Sequence, residues 1–372
     1  MIYLDNAATS FPKPREVLQR VLKYTECHCG NPGRSSHRLA IKAAEEVYAA
    51  REAVAALFSS EHPERVIFTQ NATHALNIAI KTLVPADSHV LTSNLEHNSV
   101  IRPLERLAKE SGVKYSHFSL EGDICKQLSE LINPETRTVV CTLASNVTGK
   151  RADAAAISRF CREHGLELIY DASQLAGHEK IDLKLTPCSA LCAPGHKGLF
   201  GLQGSGFIIF REEVCGKTLM EGGSGFDSTS RDMPMLLPER YEAGTLATPS
   251  IVSLASGIKY IRSAGLESIS GHLEKLVKSS LERLSEIRGI KIYGAENGTL
   301  CFSVDEIHPS ELAASLDGLG ICVRAGLHCA PSAHRVLGTL DRGAVRASFS
   351  FLNSERDAIS LADGIYKMIQ SK

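Results

Sequence analysis

The sequence lacks an excess of charge of either sign. Its 372 residues include 41 Lys and Arg against 42 Asp and Glu, which gives a formal net charge of −1. Surfaces that bind nucleic acid or anionic lipid headgroups are usually rich in basic residues. The balance therefore argues against both kinds of partner, and we expect a small molecule or another protein instead.

Long apolar runs are also missing. No stretch approaches the roughly 20 apolar residues that cross a bilayer as a helix. The opening residues, MIYLDNAATS, have neither the charged nor the apolar region of a secretory signal. We therefore expect a cytoplasmic protein without a membrane segment, in which most of the 11 cysteines are free thiols.

Common metal and nucleotide motifs are absent from the sequence. The cysteines of CHC (27–29) and CSALC (188–192) have no partners at zinc-site spacing, and HExxH does not occur. The segment CGKT (215–218) would be a Walker A loop only if glycine replaced Arg211. The sequence therefore predicts neither a metal site nor a P-loop.

What the sequence does contain, between about residues 33 and 210, is an alternation of short apolar runs and helical periods. Strands alternating with helices are typical of βαβ units, so the pattern predicts an α/β fold with a mostly parallel sheet. The clearest helical period places apolar residues three or four apart at Leu39, Ala43, Val47, Ala50, Val54 and Leu57. The runs typical of strands are RVIFT (65–69), HVLTS (89–93), TVVCTL (138–143), LELIYD (166–171) and GFIIF (206–210).

The pattern changes after about residue 245. Long helical periods at 265–287 and 354–369 there flank short strands such as GTLCFSV (298–304). A chain of this length also exceeds what one hydrophobic core usually accommodates. We therefore predict a large α/β domain over residues 15–245 and a smaller α+β domain formed by residues 1–14 and 246–372.

Polar residues follow the predicted strands, where ligands gather in an open α/β sheet. Ala72 and Thr73 begin a helix after the first strand, which suits either a bound phosphate or a plain helix cap. His97 and Asn146 follow the next two strands. Asp171 ends the fourth as either a helix cap or a buried carboxylate that faces a cation.

Lys197 lies in the glycine-rich segment GHKG (195–198) just before a strand. A lysine amine whose pKa is lowered can form a Schiff base with a carbonyl group. Together with Asp171, His97 and a helix start suited to phosphate, it completes the set of groups that pyridoxal 5'-phosphate (PLP) requires. These are an aldehyde partner, a partner for the pyridine nitrogen and an anion site.

Five motifs then resemble one family in content and order. They are YLDNAATS (3–10), DASQ (171–174), GHKG (195–198), YEAGT (241–245) and RAGLHCAP (324–331). They resemble the class V aminotransferase-fold PLP enzymes over essentially the whole chain, and most of all the group II cysteine desulfurases and selenocysteine lyases. The resemblance implies PLP fold type I, as in aspartate aminotransferase, with a mostly parallel seven-stranded sheet in the large domain.

The resemblance also implies a role for each matching residue. Lys197 would bind PLP, His97 would stack on the ring and assist proton transfer, and Cys329 would take the substrate sulfur as a persulfide. A homodimer is implied, because Thr245 would reach the PLP phosphate of the second subunit. The remaining implied contacts are to PLP from Ala72, Thr73, Asn146, Asp171, Gln174 and His196, and to the substrate from Arg346, Asn146 and Ala8.

Three positions differ from the family pattern: Pro194 stands where serine is usual, His74 where an acidic residue is frequent and Leu327 where a second histidine is common. The substitution at Pro194 removes one expected hydroxyl contact to the phosphate. Substrate preference and sulfur transfer are the properties most affected by these departures. We also expect His328 and Arg324, which lie near Cys329 in the sequence, to lower the pKa of its thiol.

The leading hypothesis is a cysteine desulfurase that converts L-cysteine to L-alanine and passes sulfur to an acceptor protein. A selenocysteine lyase acting on L-selenocysteine is the main alternative. Epimerase, β-lyase and transaminase reactions on the same fold need no loop thiol, so Cys329 argues against them. A non-catalytic scaffold is disfavoured because Lys197, Asp171 and Arg346 are all present.

Overall fold

A computed structural model describes residues 1–33, 36–226 and 229–370 of the chain. None of the helices in these ranges has both the length and the apolar character needed to cross a bilayer. The α-helices are α1 (Arg15–Cys27), α2 (Arg38–Leu57), α3 (Ala72–Leu83), α4 (Asn98–Ser111), α5 (Ile124–Leu131), α6 (Ala154–Glu163), α7 (Thr248–Ala264), α8 (Leu266–Leu284), α9 (Pro309–Gly318), α10 (Pro331–Val336) and α11 (Glu355–Gln370).

The strands form three sheets, of seven, four and two strands. Their order along the chain places the seven-stranded sheet first and most of the four-stranded sheet near the C-terminus. The strands are β1 (Ile2–Tyr3), β2 (Val66–Thr69), β3 (His89–Ser93), β4 (Lys114–Phe118), β5 (Thr136–Thr142), β6 (Glu167–Asp171), β7 (Ala190–Pro194), β8 (Gly206–Phe210), β9 (Ile290–Glu296), β10 (Thr299–Val304), β11 (Ile321–Cys322), β12 (Arg324–Gly326) and β13 (Ala344–Ser348).

The large sheet has the strand order β2-β8-β7-β6-β5-β3-β4. Strand β8 runs antiparallel to both of its neighbours, and the other pairs are parallel. The predicted mostly parallel, seven-stranded sheet is therefore confirmed. Each of the five strands expected from the sequence is present within two residues of its predicted bounds.

Two strands of this sheet, β4 and β7, were not expected from the sequence. Strand β4 lies at the edge of the sheet, so its residues KYSHF are mostly partly exposed and polar. Strand β7 is fully buried, but its residues ALCAP are small and end in proline. Neither strand has the run of large β-branched residues that indicates a strand in sequence.

Helix α2 confirms most of the predicted apolar stripe. Ala43, Val47, Ala50 and Val54 are buried, and Leu57 packs against the core. The predicted burial of Leu39 was wrong, because this residue is 51% exposed while the neighbouring Ala40 is fully buried. The buried stripe therefore begins at Ala40, which continues the same spacing of three and four residues.

The start of the chain lies next to the small antiparallel sheet, which has the strand order β12-β13-β10-β9. Strand β1 pairs in parallel with β11, and Asp5 forms a bridge to Ser348 at the end of β13. The N-terminal residues therefore lie beside the C-terminal part of the fold, while the division into a large and a small domain stays a prediction. Helix α7 packs on α1 and α2, and the boundary at residues 245 and 246 stays a prediction.

The turn after β5, residues 145–150, lies directly on strand β9. A Cβ atom on Gly294 would overlap with the backbone and side chain of Thr148 in this turn. The close contact joins the two sheets at the turn that carries Asn146. Glycine is required at position 294 because no other residue leaves room for the neighbouring backbone.

We expect Gly294→Ala to lower the thermal midpoint of unfolding, because the added methyl group overpacks this junction at a cost of roughly 1–3 kcal/mol. Gly271→Ala is a matched control in the exposed part of α8, where a Cβ meets nothing within 4 Å. Alanine favours a helix over glycine by about 0.5–1 kcal/mol, so the control should leave the midpoint unchanged or raise it. Equal midpoints for the two variants would contradict the proposed packing at Gly294.

Candidate active site

One pocket lies at the carboxyl end of the large sheet. It is built from segments that follow β2, β3, β5, β6 and β7, so residues far apart in sequence meet at one edge of the sheet. The lining includes most of the residues predicted from the sequence: Ala72, Thr73, His97, Asn146, Asp171, Gln174, His196 and Lys197.

Lys197 supplies the amine of this pocket. Burial, opposed by the negative charge of Asp171 and aided by the positive charge of Arg346, lowers the pKa of the amine to about 8. An amine with this pKa is partly unprotonated near neutral pH. The side chain can therefore act as a nucleophile toward a carbonyl group and as a base.

Asp171 ends strand β6 and is buried, with 3% of its surface exposed. Its Oδ1 accepts a hydrogen bond from the backbone N–H of Ser173 at 2.9 Å. The same carboxylate also lines the pocket. The helix-cap reading is therefore wrong, because a turn and not a helix follows β6, whereas the buried carboxylate lines the pocket together with Lys197.

His97 caps helix α4 from the pocket wall. Its Nδ1 accepts the backbone N–H of Ser99 at 3.0 Å, so the ring proton lies on Nε2. Burial and, to a smaller extent, the charge of Lys197 lower the pKa of His97 to about 4. The ring is therefore neutral at neutral pH and has one N–H to donate.

Ser99 connects His97 to the helix start at Thr73. Its Oγ lies 2.8 Å from His97 Nδ1 and 2.7 Å from Thr73 Oγ1. Asn71 caps the start of α3 by accepting the N–H of His74 at 3.0 Å. The backbone N–H groups of the first turn of α3 suit an anion. Sequence reasoning missed Ser99, which only the fold brings into contact with Thr73.

His196 lies at the same end of the pocket. Its Nδ1 is buried and has no hydrogen-bond partner among the residues that the structure describes. Burial lowers the pKa of the ring to about 4, so it is neutral. A neutral imidazole can donate from Nδ1 in one tautomer, which suits an acceptor oxygen of a bound group.

Glu96 is a buried carboxyl group behind the pocket that sequence reasoning also missed. It accepts hydrogen bonds from Ser93 Oγ and from the N–H of Thr142, which pairs with Asp171 in the sheet. Burial raises the pKa of Glu96 to about 8. The carboxyl is therefore mostly protonated at neutral pH, and Asp171 remains the negative charge at this position.

Arg346, on β13, reaches the pocket wall through two hydrogen bonds. Its guanidinium group donates to the backbone oxygen of Asn146 at 2.8 Å and to Asp5 Oδ1 at 2.7 Å. Asp5 Oδ2 accepts from Arg324 Nε at 3.0 Å, so one carboxylate bridges two arginines. The sequence did not single out Asp5, although it lies in the motif YLDNAATS.

Cys329 has an exposed thiol on a turn that is attached to the pocket. The backbone oxygen of Cys329 accepts the N–H of Asn98, which follows His97. The oxygen of the preceding His328 accepts Asn146 Nδ2 at 2.7 Å. Two residues that adjoin or line the pocket therefore hold the turn that carries this thiol.

The expectation that His328 assists the thiol as a cation was wrong. His328 is buried, and burial together with the charge of Arg346 lowers the pKa of its ring to about 3. The ring is therefore neutral at neutral pH and supplies no positive charge to Cys329. Arg324, the second expected source of positive charge, donates to Asp5 instead.

Four predicted site residues lie outside the lining of this pocket: Arg346 and Cys329, described above, and Ala8 and Thr245. Ala8 belongs to the N-terminal loop, next to Ala7, whose oxygen accepts Gln174 Nε2 at 3.0 Å. Thr245 lines a separate cavity together with Arg51 and Glu242. Their predicted contacts to the substrate and to the partner's cofactor stay predictions.

The comparison with known families decides where the chain belongs. The model of the family "Aminotransferase class-V" matches residues 2–361. The chain belongs to the class V aminotransferase family. The family resemblance expected from the five motifs is thereby confirmed.

Curated relatives and solved structures agree with this assignment. The chain is 32% identical to a probable cysteine desulfurase of Streptomyces coelicolor, over 98% of this chain and 91% of the relative. It is also 32% identical to a probable cysteine desulfurase of Pyrococcus abyssi, over 100% and 95%.

The solved structures extend the likeness to the fold. An apo cysteine desulfurase of Thermococcus onnurineus NA1 has a TM-score of 0.92 at 29% identity, over 100% of this chain and 95% of that chain. The cysteine desulfurase CsdA of Escherichia coli, in an S-sulfonic acid form, has a TM-score of 0.90 at 25% identity, over 99% and 94%. The predicted fold type is thereby confirmed.

The low pKa of His97 predicts a pH-dependent contribution to stability. Below the ordinary pKa of 6.5, His97 takes up a proton in the unfolded chain but not in the folded chain until about pH 4. The free energy of unfolding should therefore fall as the pH is lowered between these values. His97→Asn keeps a helix cap but cannot titrate, so its thermal midpoint should fall less steeply on acidification.

The measurement is the thermal midpoint of the cofactor-free wild type and of His97→Asn, taken from about pH 7 to about pH 4. The gap between the two curves should change in favour of the variant as the pH falls. Parallel curves over the whole range would show that His97 has the same pKa in both states.

Proposed function

We propose that this protein is a PLP-dependent cysteine desulfurase, which transfers the sulfur of L-cysteine to Cys329 as a persulfide and releases L-alanine. The observation that carries the proposal is the attachment of the exposed Cys329 turn to a pocket that holds Lys197 and Asp171. The names of the relatives from Streptomyces coelicolor and Pyrococcus abyssi agree with this function.

The residues of the pocket fit PLP. The helix start at Ala72 and Thr73 and the unpartnered Nδ1 of His196 suit the phosphate group. The buried carboxylate of Asp171 suits a protonated pyridine nitrogen, and the amine of Lys197 suits the aldehyde. Pro194 removes one expected hydroxyl, but Thr73 and Ser99 provide two others on this side of the pocket.

When bound, PLP would supply an electron sink that stabilises negative charge at the substrate α-carbon. Lys197 is the base that removes the α-proton, since its pKa of about 8 leaves a useful unprotonated fraction near neutral pH. Asp171 would hold the pyridine nitrogen of the bound cofactor in its protonated form. His97 is neutral, so it can donate a hydrogen bond from Nε2 to a bound group without placing a second positive charge beside Lys197.

Arg346 is the group proposed to bind the substrate carboxylate. Two of its nitrogens are held by Asn146 and Asp5, and its Nε has no hydrogen-bond partner within the described part of the chain. A guanidinium group that is already oriented loses little freedom when it binds an anion. Asn146 thus connects the carboxylate site with the turn that carries Cys329.

The sulfur transfer balances without an added oxidant. The thiolate of Cys329 attacks the substrate sulfur, so that a new S–S bond forms while the bond between Cβ and sulfur breaks. The electron pair of the broken bond passes to Cβ, which takes up a proton to give the methyl group, and Lys197 returns a proton to the α-carbon to complete alanine. The persulfide remains on an exposed residue, where a thiol of an acceptor protein can collect it.

We further propose that the working form is a cytoplasmic homodimer. Helices α1 and α2 expose several apolar side chains that a second copy of the chain would cover. Thr245 lies away from the pocket of its own chain, as expected for a residue that completes a neighbour's site. The exposed side chains are Leu18, Leu22, Leu39, Ile41 and Tyr48.

Cys329→Ala should reduce alanine formation from L-cysteine by about a hundredfold or more, because the sulfur acceptor is removed. The assay measures alanine release by the PLP-loaded protein in the presence of a reductant. Cys27→Ala is the matched control, since it removes another exposed thiol at the end of α1. The control should keep the wild-type rate.

Parallel assays with L-selenocysteine decide between the two leading hypotheses. A desulfurase loses cysteine turnover in Cys329→Ala. A protein that turns over selenocysteine far faster than cysteine, and keeps that activity in the variant, is a selenocysteine lyase. Full cysteine turnover by Cys329→Ala would overturn the persulfide step.

Lys197→Ala should abolish covalent attachment of PLP. Borohydride reduction of the loaded wild type should fix the cofactor on the peptide that contains Lys197, as read by mass spectrometry. Lys180→Ala, which changes an exposed lysine paired with Asp182, should label as the wild type does. Label on Lys13 in the wild type would contradict the assignment, since this amine also has a pKa of about 8 and donates to His196.

A further inference from the structure

Two stacked histidines and a threonine are buried beneath the Cys329 turn. His328, His334 and Thr339 are each at least nine-tenths buried. His328 Nδ1 lies 3.1 Å from His334 Nε2, and His334 Nδ1 lies 2.8 Å from Thr339 Oγ1. The two rings are nearly parallel, with an interplanar angle of 18° and centroids 5.3 Å apart.

The hydrogen bonds that link Thr339, His334 and His328 all run in one direction. His328 Nε2 faces the backbone oxygen of Arg324, which only accepts, so the proton of that ring lies on Nε2. His328 Nδ1 then accepts from His334 Nε2, and His334 Nδ1 accepts from the hydroxyl of Thr339. Burial lowers the pKa of both rings, which agrees with two neutral imidazoles.

The turn of residues 327–330, which carries Cys329, has an unusual backbone. The N–H of Ala330 donates to the oxygen of Leu327, and the two central residues, His328 and Cys329, have φ angles of +52° and +55°. Glycine and asparagine are the usual residues at such positions in a turn. Histidine and cysteine adopt them here under strain, so the surrounding contacts must hold the turn in place.

Those contacts come from two sides. On the pocket side, Asn146 and Asn98 bind the backbone oxygens of His328 and Cys329. On the other side, the ring of His328 is held by His334, which Thr339 in turn holds. Thr339 is ten residues from Cys329 in sequence and is linked to the turn through His334.

We propose that His334 and Thr339 are positioning residues, which hold His328 and thereby aim the Cys329 thiol for sulfur transfer. The role in sulfur transfer rests on the function proposed above, whereas the hold on the turn does not depend on it. Removing the Thr339 hydroxyl leaves His334 Nδ1 as a buried acceptor without a partner. The turn then becomes more mobile at its two strained residues, and no group that lines the pocket is lost.

The test compares Thr339→Val, which loses the hydroxyl, with Thr339→Ser, which keeps it. Thr339→Val should form alanine from L-cysteine about tenfold more slowly, since one buried hydrogen bond is lost. Thr339→Ser should restore the rate to within a factor of about two. Exchange of the α-hydrogen of L-alanine with solvent deuterium uses Lys197 but not the thiol, so it should be the same in the wild type and both variants.

Hydrogen–deuterium exchange of the backbone amides provides a readout that needs no turnover. The N–H groups of Ala330 and Asn98 bind oxygens of the turn. Peptides that contain them should exchange faster in Thr339→Val than in Thr339→Ser. If the wild type forms no alanine from L-cysteine, the proposed function fails. The amide exchange of the two Thr339 variants then decides by itself whether Thr339, His334 and His328 hold the turn.

Two results would overturn the inference. One is an identical turnover rate and amide exchange in Thr339→Val and Thr339→Ser. The other is an equal loss of alanine formation and α-hydrogen exchange, which would mean damage to the whole pocket. If Thr339→Val does not fold, His334→Phe replaces it, because this variant keeps an aromatic ring but makes neither hydrogen bond. It should show the same selective loss of alanine formation. Wild-type turnover by His334→Phe would also overturn the proposal.

Discussion

The ion pair between Asp5 and Arg346 is the interaction on which the site depends most directly. Arg346 lies on β13, Asp5 follows β1, and Asn146 belongs to the turn after β5, so the guanidinium group joins three segments that are distant in sequence. A buried charge is costly unless it is paired and hydrogen-bonded. Asp5 offsets the tendency of burial to lower the pKa of Arg346. The small sheet is thereby held against the edge of the large one.

The electrostatics of the pocket follow from burial more than from the number of ionisable residues. His97 and His196 are neutral because desolvation disfavours their charged forms, and Glu96 is mostly protonated for the same reason. The charges that remain are few and opposed, since Asp171 faces Lys197. This balance of charge suits the proposed cofactor, which has an anionic phosphate and a cationic ring.

The position of the thiol is a compromise between exposure and order. Cys329 lies at the surface, where the proposed function requires it to reach first the substrate and then an acceptor. A surface thiol on a loose loop would spend little time near the pocket. The turn at 327–330 is instead held by hydrogen bonds from both sides, although the φ angles of its two central residues are unfavourable. The turn is therefore strained at its two central residues and is held in place by the side chains on both sides of it.

Much of the fold could be predicted from the sequence, because buried strands are marked by apolar runs and helices by their period. That was enough to expect the parallel sheet and to name Lys197, Asp171 and His97 as neighbours at its carboxyl edge. The limits are equally physical. Strand β4 is polar because it lies at an edge, and β7 is made of small residues, so neither has a local signal.

The sequence by itself determined which chemical groups are available: an amine between glycines, a carboxylate at a strand end and a cysteine in a short loop. Only the tertiary structure decided their states and partners. It made His328 neutral rather than cationic, and it placed Asp5 between two arginines. It also joined Ser99 to Thr73, and Thr339 to His334. The reason is that pKa values and hydrogen-bond partners depend on burial and on neighbours from other segments, which no local pattern in a sequence specifies.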